Sequence, residues 1–490
     1  MLHVATITEP AVEVTGRQSG AKRIERLALW GLVALSVASS CGFALVTPYG
    51  EAPDEPSHFL YIDWLVRFGT LPFIGKDPYT VDSFHPPLYY TLGAAMPFTV
   101  RKITGAQMEK PLGPFLYNND RFRADGMWGY NRMLHPANER WPVWPYTLRV
   151  LSILMGVGVV LLTYATTRAL VPAPASAVAP LTATAFAALI PQANFIRASI
   201  SNENLAALMG AVIIWLLVLH LTRPHSTRRV VLIGAAYGLA LLTKLSLAPF
   251  LLPILWVLWL RRRPSTASPD TTRYSVLVTR SWRDLVAFGV PVLALAGWYY
   301  AYRWGAYGDP LATNAWHAML PSDSDFHLSD LFWFNERFRF FLWTSFWATY
   351  GWQNMYMPGW TYNVFLAVTV LGVIGGAYLV ARRALTAAQQ AGSAVMLSAL
   401  LLMYALVIQA STYLIAWQGR EMVPALSSTC VLFGLGLAGL VLGRGAVQPI
   451  PLAPWRRYLG VALVLAVTAG LLAANVYSIF WVVLPGLNTY

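Results

Sequence analysis

Long apolar runs recur along the chain, separated by short stretches in which arginine and lysine gather. About 20 apolar residues let a helix cross the roughly 30 Å hydrocarbon layer, and basic clusters beside such runs mark the cytoplasmic side. Each cluster therefore pins the chain to one side, and every stretch between clusters crosses an even number of times. This predicts eleven spans, approximately at 27-47, 146-168, 174-193, 204-222, 230-243, 247-260, 285-302, 360-381, 393-415, 422-443 and 458-482. Residues 1-26 become a cytoplasmic tail, 27-482 a membrane domain and 483-490 an outer tail, with the N-terminus inside and the C-terminus outside.

Two outer loops are long, 48-145 and 303-359. In the first, the apolar piece Leu88 to Val100 is too short to span and should dip in or lie flat. Phe59, Ile62, Leu65, Val66 and Gly69 share one face of a helix starting near Ser57, with Asp63 and Arg67 turned away, as expected of an interfacial helix. Asp54 and Glu55 then sit at the N-terminus of that helix, at headgroup depth. The stretch 230-260 lies between Arg228-Arg229 and Arg261-Arg262-Arg263, yet one straight helix of that length would measure about 46 Å. A hairpin resolves this and places the turn Thr243-Lys244-Leu245-Ser246 below the outer surface. An ammonium held there is costly unless it meets an anion or snorkels to headgroups.

Composition agrees with an all-α polytopic membrane protein: 57% of the 490 residues are hydrophobic, 12% are charged, and mean hydropathy is +0.51. The net charge of +13 does not indicate nucleic acid, because more than half of the 35 basic residues fall on the cytoplasmic side of the topology, against a handful of acids. Cys41 and Cys430 both lie in apolar spans and read as small core hydrophobes. Val37 to Cys41 resembles a lipoprotein cleavage site only loosely, and 27-47 is read as an uncleaved anchor. The second outer loop is crowded with aromatics, most of which fit a membrane-interface belt; Trp352, Gln353 and Tyr356 form the segment best suited to a sugar face. The connector 261-284 carries no glycine-rich nucleotide loop.

The polar groups expected near the outer interface come from distant parts of the chain: Asp54, Glu55, His58 and His85 from the first loop, then Arg197, Asn202 and Glu203, Lys244, and Gln418, Arg420 and Glu421. Their shared depth points to one cavity. Asp54 also suits an N-cap, worth about 1 kcal/mol. Adjacent carboxylates beside histidine and aromatics at a membrane boundary are what sugar transfer from a lipid carrier requires.

The order Pro53-Asp54-Glu55-Pro56-x-His58, Gly69 to Pro72, His85-Pro86-Pro87-Leu88-Tyr89-Tyr90 and Gln418-Gly419-Arg420 resembles the GT-C superfamily. That superfamily includes protein O-mannosyltransferases and lipid A aminoarabinose transferases, and the similarity is greatest to a group of bacterial predicted membrane proteins. The resemblance implies a glycosyltransferase of the bacterial inner membrane, acting on its outer face. Its donor would be a polyprenyl-phosphate-linked hexose or pentose, its acceptor an envelope glycan, lipid or protein. It also implies Asp54 as the base that deprotonates the acceptor, with inversion, and Glu55 orienting Asp54 or the acceptor. Lys244, Arg420 and Arg197 would bind the donor phosphate, and His58, His85, Tyr89, Glu203, Trp352, Gln353 and Tyr356 the acceptor or sugar. Some relatives use a divalent metal, for which His58, His85, Asp54 and Glu203 are available, but hydrogen-bonding roles are preferred for the histidines. Where relatives show an aspartate in the 202-203 loop, this chain has Asn202-Glu203. A flippase for a lipid-linked sugar is the alternative, but it would carry charges in mid-span and two matching halves.

Overall fold

The computed structural model describes residues 11–75, 81–104, 143–260, 272–318, 336–412 and 418–488. Parts of both expected tails, both outer loops, the connector 261-284 and the end of the span expected at 393-415 lie outside the described residues. The described chain is all-α apart from one two-residue ladder, in which β1 (Thr349–Tyr350) pairs antiparallel with β2 (Met355–Tyr356).

Helices α1 (Ala11–Val46), α2 (Glu55–Phe68), α3 (Leu88–Thr104) and α4 (Val143–Leu170) are followed by α5 (Val178–Leu189), α6 (Pro191–Arg197), α7 (Asn202–Thr222), α8 (Thr227–Leu241) and α9 (Leu251–Leu260). The chain continues through α10 (Thr272–Val292), α11 (Trp298–Tyr307), α12 (Thr313–His317) and α13 (Glu336–Trp347). After the small ladder come α14 (Gly359–Ala381), α15 (Ala387–Ser411), α16 (Leu426–Leu442), α17 (Pro454–Tyr477) and α18 (Leu484–Asn488).

Eight helical stretches among the described residues are long and apolar enough to cross a membrane. The other three expected spans fall on shorter helices: 174-193 on α5 and α6, 230-243 on α8, and 247-260 on α9 with the 3-10 turn Leu245–Phe250 before it. Enclosure explains how α5 manages with 12 residues. It packs against α1, α4, α16 and α17, and all but one of its residues are buried, so its ends meet protein and need not match the hydrocarbon thickness. Pro191, which cannot donate to the preceding turn, then redirects the chain into α6.

Small residues let the central helices approach closely. A Cβ at Gly436 of α16 would overlap the backbone of Gly372 in α14, and one at Gly434 would overlap Ala179 and Ala183 of α5. At the C-terminus helix persists to Asn488, where the sequence suggested a tail from 483.

The described part of the loop expected on the outer side packs onto the bundle. Phe59, Ile62 and Val66 of α2 join Tyr89 and Tyr90 of α3, Leu148 and Met155 of α4, and Leu205 of α7 in one apolar cluster. The predicted apolar face of α2 is therefore its packed face. Asp63, expected to turn away, is buried; it forms an ion pair with Arg67 one turn on, Nε to Oδ2 at 2.5 Å, which partly offsets the cost of burying a charge.

Candidate active site

The turn that carries Asp54 is held from below by its neighbour. Glu55 is fully buried and takes a two-pronged ion pair from Arg149 of α4, Nε to Oε1 and Nη2 to Oε2, both at 2.7 Å. The same guanidinium donates to the carbonyls of Ala44 at 3.0 Å and Thr47 at 2.7 Å, the otherwise orphaned acceptors at the end of α1. Glu55 also accepts from the backbone N–H of Gly50 at 2.9 Å and of Ile200 at 3.1 Å. One ion pair thus joins the end of α1, the start of α2 and the segment leading into α7. The resemblance offered Glu55 as a partner for Asp54 or the acceptor. The structure gives Glu55 three protein partners through four hydrogen bonds, so its influence on Asp54 passes through the backbone.

Asp54 occupies the N-cap position of α2 with φ 60°, the left-handed region, and its side chain makes no capping bond. The N-cap reading therefore gives way to an ion pair. Arg420 reaches Asp54 Oδ2 with Nη2 at 2.5 Å and donates through Nε to Gln418. The glycine between them is required by packing, since a Cβ at Gly419 would overlap the backbone of Leu342 and Phe346 in α13. The Gly419 N–H donates to Ser345 Oγ at 2.7 Å, which fixes the segment against that helix.

Lys244, in the turn after α8, donates to Glu421 Oε2 at 2.8 Å and stands 3.6 Å from Glu203 Oε1. The same Glu203 oxygen is 3.7 Å from Arg420 Nε, so one carboxylate lies between the two cations. Glu203 Oε2 is buried without a hydrogen-bond partner. Ser201 caps α7 by accepting from the Glu203 N–H at 3.2 Å and sets this carboxylate at the helix start. Three carboxylates and two cations from four separate stretches of sequence thereby meet at the ends of the helices.

A second polar group adjoins them. His58 Nδ1 lies 2.9 Å from Tyr90 Oη and 3.3 Å from Asp82 Oδ2, and His85 Nε2 lies 3.8 Å from Asp82 Oδ1. Asn202 Nδ2 donates to Tyr90 Oη at 3.3 Å. The His85 segment is anchored to the hairpin turn: the Leu88 N–H donates to the Leu242 carbonyl at 2.9 Å, and Tyr299 donates to the His85 carbonyl at 3.3 Å. Arg303 also donates to the Phe84 carbonyl.

The electrostatics follow from this layout. Burial tends to raise Asp54, but the Arg420 guanidinium, helped by His58 and Lys244, outweighs it and holds the carboxyl below its ordinary range. Burial lowers His58 to about 3, the Asp54 charge only partly opposing it, and lowers His85 as well, so both imidazoles are neutral near pH 7. Burial, reinforced by the Asp54 charge, pushes Asp82 well above the usual carboxylate range.

The remaining expected site residues have other protein partners. Arg197 is buried inside the bundle, donating to Asn194 Oδ1 at 2.8 Å, the Ala187 carbonyl at 2.6 Å and Ser36 Oγ at 3.1 Å, all neutral acceptors. It lines, together with Glu203, a cavity about the size of one water. Tyr89 is buried with its hydroxyl 3.2 Å from Ser152 of α4 and its ring edge-on to His58, while the Tyr90 hydroxyl meets His58 Nδ1. Trp352 Nε1 donates to the Gly50 carbonyl at 3.2 Å, bringing the small ladder next to the Asp54 turn, while Tyr356 donates to the Gln353 carbonyl at 2.6 Å. Sequence reasoning missed Asp82 and Tyr90. The available signal was spacing, with Asp82 three residues before His85 and Tyr90 five after. Among the described residues no group of three or more His, Cys, Asp or Glu side chains is arranged to hold a metal.

These features define a polytopic helical membrane protein with a charged cluster at its helix ends. Residues 145–279 match the family described as dolichyl-phosphate-mannose-protein mannosyltransferase, in accord with the GT-C resemblance carried by the motifs. No curated protein matches the sequence. Among solved structures, the chain is similar to the oligosaccharyltransferase of Archaeoglobus fulgidus, with 14% identity and a TM-score of 0.47 over 91% of this chain and 56% of that one. It is similar to ArnT from Cupriavidus metallidurans bound to undecaprenyl phosphate, with 14% identity and a TM-score of 0.46 over 93% and 73%. It is also similar to the Saccharomyces cerevisiae protein O-mannosyltransferase Pmt1-Pmt2 complex bound to the sugar donor, with 17% identity and a TM-score of 0.39 over 58% and 34%. The chain thus spans about half the length of the archaeal enzyme.

Proposed function

We propose that the protein is a membrane glycosyltransferase that moves a sugar from a polyprenyl-phosphate donor to an envelope glycan, lipid or protein acceptor, on the outer face of the bacterial inner membrane. The observation that carries this reading is the meeting of Asp54 with Arg420 and, through Glu203, with Lys244: a carboxylate base beside two cations able to hold a phosphate. Asp54 takes the proton of the acceptor hydroxyl as its oxygen bonds the anomeric carbon. The bond from that carbon to the phosphate oxygen breaks, its electron pair leaves with the lipid phosphate, and configuration inverts. Arg420 and Lys244 stabilise the charge that gathers on the departing phosphate. His58, neutral and hydrogen-bonded, positions the acceptor, with Tyr90 behind it.

Purified protein reconstituted with a radiolabelled polyprenyl-phosphate sugar tests this. Transfer or hydrolysis of the sugar is expected, and Asp54→Asn lowers it by about a thousandfold or more, in the range that loss of a catalytic base and its electrostatic partner produces. Movement of the intact donor across the bilayer without cleavage identifies a flippase, and full activity in Asp54→Asn removes Asp54 as the base.

A further inference from the structure

The two cations assigned to the donor phosphate already have partners within the protein. Arg420 Nη2 is held by Asp54 Oδ2 at 2.5 Å, and Lys244 Nζ by Glu421 Oε2 at 2.8 Å. Glu203 faces both from 3.6 and 3.7 Å. A phosphate oxygen and a carboxylate oxygen seek the same N–H donors at similar distances, so an incoming phosphate must compete for them.

The three carboxylates differ in their freedom to yield. The Glu203 side chain is 4% exposed, whereas those of Glu421 and Asp54 are 27% and 42% exposed. Releasing Asp54 or Glu421 from its cation leaves it partly hydrated. Releasing Glu203 would strand a buried charge, which is far more costly.

We infer that Asp54 and Glu421 are exchangeable placeholders in the phosphate subsite: donor phosphate takes Arg420 from Asp54 and Lys244 from Glu421, while Glu203 remains as the fixed counter-ion. The inference rests on the reading that these cations receive the donor phosphate. It makes Glu421 a residue of the donor site, and it gives the reaction an order. Until the donor is seated, Asp54 is engaged with Arg420 and is a poor base; the arriving phosphate releases it to accept the acceptor's proton.

The test measures binding of farnesyl methyl phosphate, a phosphodiester with one negative charge, to the full-length protein in nanodiscs, with farnesyl methyl ether as the uncharged reference. Tryptophan fluorescence reports the affinity, and the thermal midpoint checks that each variant is folded. Asp54→Asn and Glu421→Gln should each bind the phosphodiester about tenfold more tightly, as expected when a competing charge-assisted hydrogen bond of about 1.4 kcal/mol is removed. Binding of the ether should not change. Lys244→Gln should bind the phosphodiester more weakly. Unchanged or weaker phosphodiester binding in either carboxamide variant overturns the inference. Wild-type binding that is no stronger for the phosphodiester than for the ether, or that Lys244→Gln leaves intact, overturns the phosphate assignment itself.

Discussion

At the scale of single residues, Glu55 and Asp54 show how adjacent carboxylates are put to different uses by their surroundings. Glu55 is fully buried and its pair with Arg149 is closed on every side, so removing one partner leaves an uncompensated charge in a low-dielectric setting. Arg149→Met is expected to destabilise the protein by about 3–5 kcal/mol, seen as a lowered thermal midpoint. Glu55→Gln/Arg149→Met together should recover part of that loss. Additive losses in the double variant would show that the two side chains do not act as a pair. The sequence made the Asp54-Glu55 pair conspicuous and the resemblance singled out Asp54, but the residues alone did not show which of the two faces the cluster. That depends on Arg149, almost a hundred positions away, whose neighbours were invisible in a linear reading.

Among the elements, the hairpin at 230-260 was legible because its length contradicted a single crossing, and α8 with α9 confirms the turn at Lys244. The Gln-Gly-Arg segment was recognisable as a motif, but the role of its glycine was not, because the demand comes from α13 pressing its backbone onto residue 419. Gly419→Ala should therefore move the segment carrying Arg420 and reduce the proposed sugar transfer by about tenfold or more, as a displacement of about 1 Å can. The protein's thermal midpoint should change much less than in Arg149→Met. An alanine variant with wild-type transfer would mean that α13 yields without moving Arg420. The short α5 was read as a span from hydropathy, whereas its 12-residue length makes sense only once the helices around it are known.

For the whole molecule, burying neutral histidines couples folding to pH. His58 titrates near 3 in the folded protein and His85 well below its usual value, while an unfolded chain protonates both near 6.5. The unfolded state thus binds more protons as pH falls below about 6.5, and the stability present above that value is lost progressively toward pH 3. Asp54, also lowered, adds a loss below the ordinary carboxylate range; Asp82, raised, acts in the opposite sense, its contribution being largest in acid and fading as pH rises. Thermal midpoints measured from pH 7 to 5 should decline, with a limiting slope of about 1.4 kcal/mol per pH unit for each histidine, and His58→Gln should flatten the decline. An unchanged slope in that variant would show that His58 takes up its proton at the same pH in the folded and unfolded protein.

The left-handed backbone at Asp54 has a bearing on how its chemistry can be probed. Among residues with a side chain, asparagine and aspartate tolerate that conformation best, because their short polar groups suit it. An amide there keeps the shape of the turn while abolishing the charge. Alanine or glutamate would bend the main chain as well, and inactivity in such variants would confuse a distorted loop with loss of the proposed proton acceptor.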